Sequence, residues 1–467
     1  MSREWLAFTP ALELAFLLRT RKLSPVEAVD HLLQRIGQLN PRLNAYLTVA
    51  EEKARDAARA AEVGQPQELP PLWGVPISVK DLIFTRGLRT TGGSLVYEGF
   101  IPEEDAVVVE RLRRAGAIIL GKTNTSEFGQ STTTENRLGE DCRNPWDLGH
   151  TSGGSSGGAA ASVAAGLGAV AIGSDGGGSI RIPAAFCGVF GFKPSFGLVP
   201  TAGHFGGMPL FAVIGPITRT VADAALALQV MAGYDPRDHL SLKAPPPDLL
   251  AGLKGEVRGL RVGWSPDLGY ARVDPEVRSV VSSCLPMLES LGLRVEPAPL
   301  TLTDPAPIFG PIVLADTYAA YGHLLEKEAG ALMPYVRATL ERGREVTGAA
   351  YSQALRGLEA LRRQMADFFE GYDLLVTPTT AVPAFPLRQR PQEIDGQKVS
   401  TLWGPFPFTM VFNLTGQPAA TLPCGFSAQG LPIGLQLVGR YREDLTVLRV
   451  AAAFEQARPW ADKLPAL

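Results

Sequence analysis

A chain of 467 residues that is 45% apolar and 19% charged can bury a large core, and its 50 glycines and 38 prolines point to many tight loops in a globular protein. The formal net charge of −3 leaves no basic footprint for nucleic acid. No apolar run reaches the roughly 18 residues that span a bilayer, so neither a nucleic-acid nor a membrane partner is expected.

The four cysteines (Cys142, Cys187, Cys284 and Cys424) are scattered and form no CxxC pair, which disfavours a disulfide framework and a zinc site. Met-Ser-Arg-Glu-Trp carries no leader pattern. The expectation is a cytoplasmic protein with reduced thiols, no metal and no other cofactor.

Residues 11–62 read as helices. Leu12, Leu14, Leu17 and Leu18 form a stripe, Ser24-Pro25-Val26-Glu27 is a capped helix start, and 50–62 is rich in Ala, Glu and Arg. After a Pro-rich break at 69–76, residues 75–79 predict a short strand ending at Lys80-Asp81. A helix over 105–115, a strand over 117–120 and a polar loop over 121–127 follow. The stretch 144–151 reads as loop, 157–166 as an Ala-rich helix and 169–172 as a buried strand. Beyond a linker at 243–248 come a strand over 260–264 and helices over roughly 313–371. A strand over 373–377, an irregular Pro/aromatic stretch at 378–409, and strands near 419–422 and 432–438 close the chain. Strands and helices alternate with no break in composition, which predicts one layered α/β domain across 1–467.

The residue types that carry chemistry gather in two glycine-rich loops. The first is Gly153-Gly154-Ser155-Ser156-Gly157-Gly158. The second, Asp175-Gly176-Gly177-Gly178-Ser179-Ile180-Arg181, puts Ser179 24 positions after Ser155. Glycine lets backbone approach a ligand and leaves N–H groups free around a serine hydroxyl, as a serine nucleophile with an oxyanion hole requires. Lys80 offers a base if burial lowers its pKa from about 10.4. On these residues alone, a surface Lys80 paired with Asp81 stands equally open. Gly-Ser loops are also more often linkers, although linkers are not flanked by a buried strand and an Ala-rich helix as these are.

Two other motif matches fail on context. Gly116 through Thr123 satisfies GxxxxGK[ST], but its four intervening residues are themselves the strand rather than a loop after one. Gly153 through Gly157 satisfies the GxSxG of an esterase elbow, yet loop precedes it; His204, His239 and His323 downstream keep that alternative open. No Ser-x-x-Lys, His-Glu-x-x-His or His/Asp cluster is present.

Five ordered stretches resemble the amidase signature family. They are Gly74-Val-Pro-Ile-Ser-Val-Lys-Asp81, Gly121-Lys-Thr-Asn-Thr-Ser-Glu-Phe128, the block from Gly153 through Lys193-Pro194, Gly215 through Ala225, and Gly416 through Gln436. The resemblance reaches nearly the whole chain except about 240–400. It implies a single three-layer α/β/α domain with a central mixed sheet flanked by helices, and hydrolysis of an amide C–N bond without a cofactor. It further implies that Ser179 is the nucleophile, Ser155 a proton bridge on a cis peptide bond after Gly154, and Lys80 the base. The N–H groups of Gly176, Gly177, Gly178 and Ser179 would hold the oxyanion, while Asp175, Arg181 and Ser156 would support the loops.

The family also contains the glutaminase subunit of a tRNA-dependent amidotransferase. That subunit typically has Gln where this chain has Ile182, and Met-Asp where it has Thr125-Ser126. Both departures favour a stand-alone hydrolase. Substrate choice is expected to reside in 305–412, with Trp403, Phe406 and Phe408 as pocket candidates favouring an apolar or aryl amide, a carbamate or an ester. The expected partner is a small-molecule amide, and a homodimer is left open.

Overall fold

The computed structural model describes residues 4–64 and 69–467; the start of the Met-Ser-Arg-Glu-Trp segment lies outside the described residues. Eleven strands form one mixed sheet flanked by helices. Their order across the sheet is Tyr46–Val49, Ile118–Thr123, Pro76–Lys80, Val170–Asp175, Val213–Thr218, Phe190–Lys193, Ala419–Phe426, Pro432–Gly439, Leu374–Pro378, Arg261–Trp264 and Arg294–Pro297. Pro76–Lys80 runs parallel to both neighbours, and all five of its residues are buried. Strands covered on both faces read as continuous apolar runs, which is why Pro-Ile-Ser-Val signals a strand without alternation. The consequence for the site is that Lys80 leaves the sheet at a buried carboxyl-terminal strand end.

The Ala-rich helix Gly157–Ala164 is buried along its entire length. Its small residues let it lie close against backbone: a Cβ on Gly158 would come within 2.3 Å of the Asn124 nitrogen. The helix therefore starts directly beneath the strand-end loops, and Ser155 is held just ahead of it.

Pairing partners distant in sequence overrule several local readings. Tyr46–Val49 is a strand inside the stretch read as helical. It follows Asn44, which ends the preceding helix with φ of 52° and leaves a β-favouring Tyr-Leu-Thr-Val run to pair with Gly121–Thr123. The strand expected over 117–120 continues through Thr123, since Gly121, Lys122 and Thr123 are paired on both sides. Residues expected as loop at 144–151 belong to a hairpin of Arg143–Asn144 with Asp147–Thr151. The helical region begins at Ala306 and is broken into Ala306–Tyr321, Leu324–Lys327, Pro334–Gly343 and Gly348–Gly371.

These helices reach back to the loops around the strand ends through an apolar cluster that includes Leu82, Phe128, Phe205, Tyr321, Val336 and Leu340. Polar ties reinforce the join. Glu127 N donates to Tyr335 Oη at 2.7 Å, and Met333 N donates to Glu127 Oε2 at 2.6 Å.

Candidate active site

Lys80 is completely buried, so the surface reading of this residue is excluded. Its Nζ lies 2.6 Å from Ser155 Oγ, 3.0 Å from Ser174 Oγ and 3.4 Å from the Ser174 carbonyl. Burial lowers its pKa to about 7, an effect the nearby Asp175 carboxylate only partly opposes. Near neutral pH a large fraction of Lys80 is therefore the free amine, the only form with a lone pair to accept a proton.

The Gly154–Ser155 peptide bond is cis. A side chain at position 154 has no room, because its Cβ would sit 2.6 Å from the Thr133 carbonyl carbon. Thr134 ties the loop down: its hydroxyl donates to Gly153 O at 2.8 Å and accepts from Gly157 N at 3.0 Å. Ser156 joins the two glycine loops. Its N donates to Ser179 O at 3.1 Å and its Oγ to Ser174 O at 3.2 Å.

Asp175 and Arg181 form a buried bidentate pair. Arg181 Nη2 meets Asp175 Oδ1 at 2.9 Å and Nε meets Oδ2 at 3.0 Å. Burial pushes the Asp175 carboxyl up, but Arg181 more than reverses this and holds it well below the usual carboxylate range. Arg181 also donates to Thr409 O and Gln436 Oε1 at 2.9 Å each, and to Asn413 Oδ1 at 2.6 Å. This network pins the Ser179 loop to segments more than two hundred residues away. It also narrows the expected oxyanion donors. Gly178 N already donates to Asp175 Oδ1 at 2.7 Å, so this N–H is occupied by a carboxylate. The N–H groups of Gly176, Gly177 and Ser179 make no hydrogen bond among the described residues.

Ser155, Ser174, Gly176, Gly177 and the half-exposed Ser179 lie along one cavity of about 380 Å³. Its roof comes from the variable segment: Phe309, Val313 and Leu314 of helix Ala306–Tyr321, with Leu402 and Trp403. Roof and floor are close. A Cβ on Gly177 would lie 3.0 Å from Trp403 Cη2 and 3.1 Å from Phe309 Cζ, and one on Gly176 would lie 2.5 Å from Met208 Sδ. Of the expected pocket aromatics, only Trp403 lines the cavity. Phe406 and Phe408 are fully buried core residues, Phe406 packing on Phe186 and Phe385 at ring separations of 5.8 and 6.1 Å.

Sequence reasoning missed Ser174, Thr409, Asn413 and the cavity residue Met208, and it named His204 only as a downstream histidine of the esterase alternative. Ser174 had a usable signal, as a hydroxyl at the strand end immediately before Asp175. The others come together only through the fold.

A profile of the amidase family matches residues 27–448. The chain belongs to the amidase family. An acylamidase of Rhodococcus erythropolis is 42% identical over 100% of this chain and 99% of its own length. A glutamyl-tRNA(Gln) amidotransferase subunit from Moorella thermoacetica is 39% identical, covering 99% of each chain. Among solved structures, a bacterial aryl acylamidase of the amidase signature family superposes with a TM-score of 0.91 at 32% identity, covering 97% of both chains. The amidase frame and the mixed eleven-stranded sheet are thus shared along the whole chain. No helix among the described residues is long and apolar enough to cross a membrane.

Proposed function

We propose that this amidase hydrolyses the C–N bond of small apolar or aryl amides through an acyl-enzyme on Ser179. The observation that carries the reading is the 2.6 Å approach of a buried, pKa-lowered Lys80 to Ser155 Oγ, on the floor of the cavity that Ser179 lines. Neutral Lys80 takes the Ser155 proton as Ser155 takes that of Ser179, whose Oγ attacks the carbonyl carbon. The oxyanion forms against the N–H groups of Gly176, Gly177 and Ser179, where each donor is worth about 10²–10³ in rate. As the C–N bond breaks, Ser155 returns a proton to the nitrogen, resupplied by Lys80, and the amine departs. Water then attacks the acyl ester by the same path reversed and releases the carboxylate. Ser174 orients Lys80, and Asp175 with Arg181 holds the Ser179 loop.

The cavity's size and its aromatic roof fit a small apolar group. An aryl carbamate fits the same chemistry. The four free cysteines support a cytoplasmic setting. The glutaminase reading has a specific weakness. L-Glutamine brings an ammonium that needs an acidic partner, and no Asp or Glu lines the cavity among the described residues.

The test is kcat/KM on p-nitroacetanilide, a linear aliphatic amide, an aryl carbamate and L-glutamine. The anilide should exceed glutamine by about 5- to 150-fold, the scale of apolar-pocket discrimination. A preference for glutamine, or strict dependence on a partner subunit, would overturn this reading in favour of the amidotransferase branch.

A further inference from the structure

His204 lines the same cavity as Ser155 and Ser179. The backbone holds it on the Lys80 side: His204 bridges Ile83, Phe205 N donates to Leu82 O at 2.9 Å, and Phe84 N donates to Gly203 O at 2.9 Å. Its Nδ1 lies 2.6 Å from the Thr201 carbonyl oxygen. A carbonyl can only accept, so Nδ1 carries the proton. Burial, reinforced by the nearby Lys80, lowers the imidazole pKa and favours the neutral ring, although the Thr201 contact and Asp238 pull the other way. That leaves Nε2 as a lone pair with no partner among the described residues. Leu82, Phe128 and Phe205 line the same cavity with apolar surface.

We propose that His204 Nε2 accepts the N–H of the scissile amide and so makes this cavity selective for amides bearing a hydrogen on nitrogen. The inference rests on the Ser179 acyl-enzyme reading and adds a specificity residue to it. The chemistry gives such a group a role. When the carbonyl carbon becomes tetrahedral, the nitrogen lone pair must turn toward Ser155 to receive a proton, which swings the N–H away from it. An acceptor on that side fixes the orientation, and without one a desolvated N–H is left unpaired. An ester or an N-methylated amide has no N–H to place.

The test compares wild type, His204→Phe and His204→Gln on p-nitroacetanilide, N-methyl-p-nitroacetanilide and p-nitrophenyl acetate, with melting curves to establish folding. In His204→Phe, the ratio of anilide to ester kcat/KM should fall about 30-fold, within the range for an unpaired buried polar group. The N-methyl anilide should follow the ester. His204→Gln supplies a side-chain carbonyl and should recover the ratio to within about 5-fold of wild type. Equal losses on all three substrates would overturn the proposal, as would an unchanged ratio or a Gln variant as poor as Phe. Failure of the underlying reading would show separately, as Ser179→Ala still hydrolysing the ester.

Discussion

Lys80 and Lys122 are a natural experiment within one molecule. They sit on adjacent parallel strands, both are completely buried, and burial lowers the pKa of each to about 7. The register pairs Lys122 with Val79 and Thr123 with Lys80, so the two lysines project from opposite faces of the sheet. Lys80 meets the hydroxyls of Ser155 and Ser174 beside the cavity. Lys122 meets the Ile83 carbonyl and, at 2.9 Å, Thr85 Oγ1, with Asp81 as its countercharge. The Ile83 carbonyl has no proton to give up and the Thr85 hydroxyl donates its own to that carbonyl, so a free amine at position 122 has no proton to take. Lys193, likewise lowered to about 7 by burial, also ends on a carbonyl, that of Pro194 at 2.9 Å. A depressed lysine pKa is therefore a sign of burial, and the partners of the amine are what distinguish a base from a strut.

The comparison breaks most sharply under substitution. Lys80→Met should lower kcat by about 10³-fold or more while the protein still folds, since it removes the base and leaves the packing volume. Lys122→Met should leave kcat per folded molecule within about 10-fold. It should instead cost about 1–3 kcal/mol in denaturant-measured stability, because the Ile83 carbonyl and the Thr85 hydroxyl lose their buried donor. Comparable rate losses in both variants would erase the distinction.

The same contrast extends to aromatics three residues apart. Phe406→Ala should destabilise by about 3–5 kcal/mol with substrate preference unchanged, as for a core cavity. Trp403→Ala should leave stability nearly intact and lower kcat/KM for aryl over small aliphatic amides by about 1–3 kcal/mol.

Proton linkage sharpens the lysine comparison in two ways. Rate-determining use of neutral Lys80 predicts that kcat/KM rises tenfold per pH unit below about 7 and levels above it, and Lys122→Met should keep this limb in place. Stability behaves differently. Lys122 titrates near 7 when folded against a reference value of 10.5. Above 10.5 both states hold the neutral amine and the group is without effect. Between 10.5 and 7 only the unfolded chain takes up the proton, so stability falls as pH falls; below 7 the cost is constant. Lys122→Met should therefore flatten the rise in Tm between about pH 7 and 10.

How much of this was legible in the sequence follows from what each residue depends on. The two glycine loops and the strand ending at Lys80 announce themselves locally, because close backbone approach demands glycine and a strand covered on both faces demands an apolar run. Tyr46–Val49 and the extension to Thr123 were hidden, since each is a strand only by virtue of the other. Trp403 and Phe406 look alike as residue types. Which one lines the cavity is decided by where helix Ala306–Tyr321 lands. Thr409 and Asn413 join the Ser179 loop through Arg181 and through their own bonds to Gly177 O and Asp175, contacts spanning 228 to 238 positions that no local pattern carries.

The assignment of Ser179 as nucleophile is tested most directly by covalent trapping. The enzyme is treated with a fluorophosphonate and digested with trypsin. Ser155 and Ser179 fall together on the fragment 144–181, so fragment ions between them locate the adduct. The adduct should sit on Ser179, vanish in Ser179→Ala, and form about 100-fold or more slowly in Lys80→Met. An adduct on Ser155 with Ser179 untouched would contradict the assignment and return the chain to the GxSxG reading.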